Sequence, residues 1–226
     1  MKEFYSQFMT KTDLVFDVGA NVGDKATIFS ELADKVIAIE PQAETFAALR
    51  DRFVNTNVTP VNKAVGDYEG VAKILHPADL TTIASLSNRF IEGVRKTRRF
   101  GPASIWDEAE EVGMTTLDIL IEQFGVPAFI KIDVEGFEPE VIRGLSQLIP
   151  LSFEFTPELL YMVDEVFDHL RTLGSFETNY GLLNDYAKLE LSDWVSAETM
   201  QKELKKYESS NCIMGDVYVR KIRTLD

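Results

Sequence analysis

"DVGANVG", residues 17–23, stands where an apolar, β-prone run gives way to a helical one, and its reading decides the fold. Leu14, Val15 and Phe16 precede it, while Ala26, Phe29 and Ala33 behind it fall on one helical stripe. The segment is therefore a turn from strand to helix. Turns of this kind, at the carboxyl ends of parallel strands, are where open α/β sheets bind ligands.

Outward from this turn the alternation repeats. Apolar runs at 36–39, 58–65, 128–132 and 151–155 read as further strands with helical stripes between them, which predicts an α/β fold on a mostly parallel sheet. Phe46, Leu49 and Phe53 form one stripe. Leu117, Leu120, Ile121 and Phe124 form another, opening after Thr115 and Thr116 and stopping at Gly125. Pro139 and Pro157 suit first helical turns, the second of these helices ending at Gly174. The turn chemistry of "GDYEG", 66–70, predicts a hairpin pairing 61–65 with 71–75. Residues 77–111 show little periodicity and predict a lid or insertion within a single domain spanning 1–226. A short helix near 197–207 and a last strand at 216–219 close the chain.

A chain of 226 residues with 45% apolar content can bury the core of one large domain. Its net charge of -14 argues against nucleic acid as a partner, because phosphate binding rests on clustered Lys and Arg. No apolar run approaches the roughly 18 residues of a membrane span, and the opening residues lack a signal-peptide pattern. The expectation is a cytoplasmic protein without stable membrane insertion. Cys212 is the single cysteine, which excludes an internal disulfide and a cysteine-built zinc site. Oligomeric state is not legible.

The turn itself selects among ligands. A dinucleotide fingerprint needs glycine where this chain has Asn21 and Asp24, and Lys25 is followed by Ala26 and not by the Ser or Thr of a phosphate loop. The Asp17 carboxylate would repel a phosphate and favours a cation. S-adenosylmethionine supplies an ammonium, a sulfonium and no phosphate, and its own carboxylate suits the amides of a helix start. Gly19 and Gly23 allow close approach of backbone and ligand, while Asn21 either tolerates unusual backbone angles or lends its amide. Glu40, closing the next strand in "KVIAIEP", stands where an acid about 20 residues on accepts ribose hydroxyls in nucleotide sites.

With these residues in view the chain resembles the FkbM methyltransferases, within the Rossmann-like class of S-adenosylmethionine-dependent methyltransferases. The resemblance is carried by "DVGANVG" (17–23), "AIEP" (38–41), "NKAVGDYEG" (62–70), "TTLD" (115–118) and "IKIDVEGFEPEVIRGL" (130–145). It implies a seven-stranded, mostly parallel sheet with an antiparallel last strand, and methyl transfer to oxygen on saccharides, glycolipids or natural products. By position it implies cofactor roles for Asp17, Gly19, Gly23 and Glu40, with Asn21 and Asp67 as further candidates inside its motifs. It also sets Asp133 beside cofactor and acceptor.

Methyl transfer from sulfonium to oxygen is an in-line displacement, so alignment is the main task, and a base adds roughly 10²- to 10⁴-fold. In "IKIDVEG", Ile130 and Ile132 mark a buried strand, and Lys131, Asp133 and Glu135 bring charge to its carboxyl end. Glu154, near the end of the next strand, is expected beside Asp133, so three carboxylates converge. Asp133 is the favoured base or acceptor anchor, with Glu135, Glu154 and His76 as further catalytic candidates; no metal site is assigned. The plainer alternative pairs Lys131 with one acid and uses the others as helix caps. His169 suits a packing or surface role. Arg95, Lys96, Arg98 and Arg99 in "VRKTRRF" suit an anionic acceptor, a small molecule or saccharide. An N-methyltransferase and a non-catalytic nucleoside-binding module are the rival readings.

Overall fold

The computed structural model describes residues 1–77, 83–97, 106–182, 188–208, 210 and 213–222. Arg98, Arg99 and Cys212 lie outside the described residues. In chain order the elements are α1 (Lys2–Tyr5), β1 (Leu14–Val18), α2 (Asp24–Leu32), β2 (Lys35–Ile39), α3 (Ala43–Arg52), β3 (Val58–Val61), β4 (Ala64–Gly66) and β5 (Gly70–His76). There follow α4 (Asn88–Thr97), β6 (Glu108–Thr116), α5 (Leu117–Phe124), β7 (Phe129–Ile132), α6 (Glu138–Arg143) and β8 (Leu151–Phe155). The chain closes with α7 (Leu160–Leu173), β9 (Phe176–Leu182), α8 (Ala197–Leu204) and β10 (Gly215–Lys221).

Seven strands form the main sheet in the order β3-β2-β1-β7-β8-β10-β9. β10 runs antiparallel to both of its neighbours, and the pairings from β3 through β8 are parallel, as the resemblance implies. The order reverses beside β1, where β1 lies between β2 and β7, and ligands in open α/β sheets bind at such a switch point. Both faces are covered, which is why the central strands read as continuous apolar runs. Phe16, Val18, Ile130, Ile132 and Phe153 join one core with residues of α5, α6 and α7. Val15, Val36, Ala38 and Phe129 join the other with residues of α1, α2 and α3. Each such buried Val, Ile or Phe side chain contributes roughly 1.5–3 kcal/mol. Local signals set the ends: the Thr116 hydroxyl accepts the Ile119 amide at 3.2 Å and starts α5.

Two expectations are corrected. The hairpin of 61–65 with 71–75 does not form. Instead β4 and β5 flank β6 in a separate three-stranded sheet, β4 parallel and β5 antiparallel to it, with Ala64 and Gly70 both opposite Met114. The stretch 58–65 is thereby divided, β3 staying in the main sheet. β6 is easily missed because Glu108, Glu110 and Glu111 crowd its start, yet Val112 and Met114 are buried with Ala64 and Ile74. The second correction is that 77–111 is not featureless. Phe90, Ile91 and Val94 make one apolar face of α4, packed on Trp106, Leu159 and Met162. No helix among the described residues is long and apolar enough to cross a membrane.

Candidate functional site

The turn after β1 is built from backbone conformations that few side chains adopt. Gly19 and Gly23 have φ of +81° and +90°, and Asn21 takes +49°. Asn21 therefore does both things left open by its sequence: it accepts a left-handed backbone, and its Oδ1 receives the Val22 amide at 2.7 Å. At Gly19 a Cβ would fall 1.8 Å from the Asp133 carbonyl oxygen, so glycine is what lets the turns after β1 and β7 meet. A Cβ at Gly23 would fall on the ring of Phe53, and that glycine serves the packing of α2 against α3.

Glu40 closes β2 beside this turn. Its Oε2 accepts the Asn21 amide and its Oε1 the Gln42 amide, each at 3.0 Å. Burial pushes its carboxyl up to about 7, against the pull of those two amides. A cleft opens here. Gly19, Asn21, Glu40 and Gln42 line one side; Val65, Ile74 and Leu86 add an apolar wall; Asp133, Val134, Glu135 and Phe137 close the other end. Of the cofactor candidates, Gly19, Asn21, Glu40 and Asp133 line the cleft. Asp17, Gly23 and Asp67 are not among its walls. Asp67 meets Arg143 at 3.5 Å on the surface.

Asp17 lies beneath the turn, only 1% exposed, directly across the ladder from Lys131. Burial raises its carboxyl to about 7, Lys131 opposing, and its Oδ2 has no hydrogen-bond partner among the described residues. Positive charge at Asp17 thus comes from side chains of the protein, Lys131 first and then Lys25.

Asp133, Glu135 and Glu154 do converge: ligand oxygens from all three lie within 4.8 Å of one another. A divalent cation is the kind of ligand such a spacing can hold. Burial, then Asp133 and Glu135, hold the Glu154 carboxyl well above the usual carboxylate range and so favour its neutral form. Lys131 pairs with Asp133 at 3.0 Å. The acid that binds backbone amides here is one that sequence reasoning passed over, Glu138 at the start of α6, whose Oε1 accepts the loop amides of Val134 and Gly136 at 3.2 and 3.3 Å. An acid just before Pro139 is the signal that marks it. Ser85 was also missed. Its hydroxyl donates to the Glu135 carbonyl at 2.6 Å, steadying a residue with φ of +53°.

His76 is apart from this group. Its Nδ1 meets its neighbour's carbonyl, Pro77 O at 3.2 Å, and it is not among the described residues that line the cleft. His169 Nε2 meets Leu145 O at 2.9 Å, a packing contact between α7 and the segment after α6.

The cleft and its acids fall within a match to the family model described as the methyltransferase FkbM domain, over residues 17–180. The chain belongs to the FkbM methyltransferase family. Among curated proteins, the hexuronic acid methyltransferase AglP of Haloferax volcanii is 30% identical over 142 residues, 61% of this chain and 52% of the relative. The chain thus spans about half the length of that relative. Of solved structures, methyltransferase FkbM from Methylobacillus flagellatus is similar at 16% identity, covering 80% of this chain and 46% of that one, with a TM-score of 0.47. A putative methyltransferase of Streptococcus mutans, SMU.1697c in complex with SAH, is 11% identical over 97% of this chain and 95% of that one, with a TM-score of 0.42. The fold of this FkbM methyltransferase accordingly rests on its own strand order.

Proposed function

We propose that this FkbM methyltransferase transfers the methyl group of S-adenosylmethionine to a hydroxyl of a saccharide or similar small acceptor. One observation carries the reading: Glu40 and Asp133 face one cleft from the ends of β2 and β7. The residues present fit the cofactor. Glu40 retains acceptor capacity for two ribose hydroxyls beyond its two amides, the apolar wall suits a flat purine, and no phosphate partner is needed beside Asp17. When bound, the sulfonium supplies an activated methyl group. Asp133 orients the acceptor hydroxyl and takes its proton, while burial biases Glu154 toward its neutral form and so eases the repulsion on Asp133. Exclusion of water falls to the apolar residues Leu86 and Phe137 at the cleft.

A saccharide acceptor is supported by the name of the Haloferax relative, whose substrate is a hexuronic acid. The test is an assay of purified protein with S-adenosylmethionine against uronic-acid, neutral and amino saccharides, with the methylated atom located by NMR. Methyl on a hydroxyl supports the reading. Methyl found on nitrogen, or NAD binding more tightly than S-adenosylhomocysteine, overturns it.

A further inference from the structure

Lys131 stands on the face of β7 opposite Ile130 and Ile132, and its side chain is 1% exposed. Taking an ammonium out of water costs several kcal/mol, and an aliphatic side chain fills such a place without that cost. Packing alone therefore does not ask for lysine. Its neighbours do. Nζ lies 3.0 Å from Asp133 Oδ2 and 3.7 Å from Asp216 Oδ1. Asp216 is delivered by β10 and is buried, with the Tyr218 hydroxyl donating to its Oδ2 at 3.3 Å. Asp133 is different, with a side chain 38% exposed and part of the cleft wall. The chain Asp216, Lys131, Asp133 thus leads from the dry interior to the cleft. Lys131 occupies only Oδ2 of Asp133; Oδ1 accepts no hydrogen bond among the described residues.

We propose that Lys131, anchored by Asp216, is a positioning residue that grips one oxygen of Asp133 and so aims the other at the reacting centre. This rests on the reading of Asp133 given above. A carboxylate on the turn after β7 would otherwise sample several rotamers, and holding a reacting group in one geometry is where much of an enzyme's rate comes from. Asp216 is the part that makes the grip affordable, because it shares the buried positive charge and leaves Lys131 no reason to swing toward solvent. The last strand, far from the motifs at β1 and β7 in sequence, so contributes to the site.

The test needs no acceptor. Sinefungin carries an ammonium-bearing carbon where S-adenosylmethionine carries its methylated sulfur, and S-adenosylhomocysteine carries neither. The ratio of their dissociation constants, measured by calorimetry, reports a carboxylate aimed at the transferring position. In the unmodified protein sinefungin is expected to bind about tenfold more tightly. Asp133→Asn abolishes that preference. Lys131→Met and Asp216→Asn each reduce it to about threefold or less, Lys131→Arg retains most of it, and Lys131→Met adds nothing to Asp133→Asn in the double variant. A preference left intact or increased by Lys131→Met overturns the proposal, since losing the competing cation without losing the aim strengthens the sinefungin contact. Should Lys131→Met not fold, an undiminished preference in Asp216→Asn overturns it equally. A preference that is absent from the outset, or that Asp133→Asn leaves unchanged, overturns the reading of Asp133 and the proposal with it.

Discussion

The backbone amide of Asn21 donates to Glu40 Oε2 at 3.0 Å, tying the turn after β1 to the acid that closes β2. The two sides of the proposed nucleoside site are therefore one hydrogen-bonded unit, and disturbing the acid also loosens the turn.

Glu40→Gln is expected to weaken S-adenosylhomocysteine binding by about 1–3 kcal/mol, because a charged acceptor for two hydroxyls is lost. Calorimetry reads the change directly. The unaltered protein adds a pH signature. Its Glu40 carboxyl sits near 7 through burial, and donors from the ligand favour the ionised form. Affinity should rise from pH 6 to pH 8 and level off above, and Glu40→Gln should flatten that slope.

Gly19→Ala tests the contact between the turns. A Cβ there would lie 1.8 Å from the Asp133 carbonyl oxygen, on a backbone with φ of +81°. Backbone on both sides leaves little room to yield. The expected loss is about 2–4 kcal/mol, overpacking and left-handed strain together, seen as a lower urea midpoint or as failure to accumulate folded protein. A midpoint equal to that of the unaltered protein would show that the turns separate at no cost.

Asp133→Asn is expected to lower turnover about 10²- to 10⁴-fold once an acceptor is in hand, with little change in S-adenosylhomocysteine affinity. Glu154→Gln should do far less, because burial and the neighbouring acids already favour the neutral form of that side chain. Equal losses in the two variants would move the base from Asp133 to the group as a whole.

Stability without ligand should fall as pH rises from about 4 to about 7. Burial raises Asp17, Glu40 and Glu138 to about 7 in the folded chain. Unfolded, these acids release their protons near pH 4. Between the two values the folded state binds more protons, so unfolding is favoured by raising the pH, and above about 7 the effect is complete. Urea midpoints at pH 5 and pH 7.5 give the comparison, the higher midpoint being expected at pH 5. Saturation with S-adenosylhomocysteine should narrow the difference by favouring ionised Glu40.

The outcome for each element follows from how local its signal is. β1, β2, β7 and β8 were legible because a strand buried on both faces is a short apolar run, and the turn and acid at its end are neighbours in sequence. β6 was not, because its charges face solvent along a strand half buried against the small sheet. α4 was obscured for a related reason: its three buried residues make a narrow stripe among Arg, Lys, Asn and Glu. Asp133 and Glu154 could be placed together from a parallel pairing of β7 with β8, whereas nothing local to His76 reveals that the cleft lining takes in Ile74, two residues earlier on β5, and stops short of it.

The sequence by itself determined the strand-to-helix turn at 17–23, the acid at Glu40 and the charged end of β7, since each depends on residues within a few positions of one another. Only the tertiary structure decided that β4 and β5 both pair with β6, that Asp17 faces Lys131 across the ladder, and that Asp216 meets Lys131. Those meetings depend on strand order and register. A β ladder satisfies its backbone hydrogen bonds equally well with many partners, so the choice falls to how whole faces pack, and a short window of sequence does not contain that comparison.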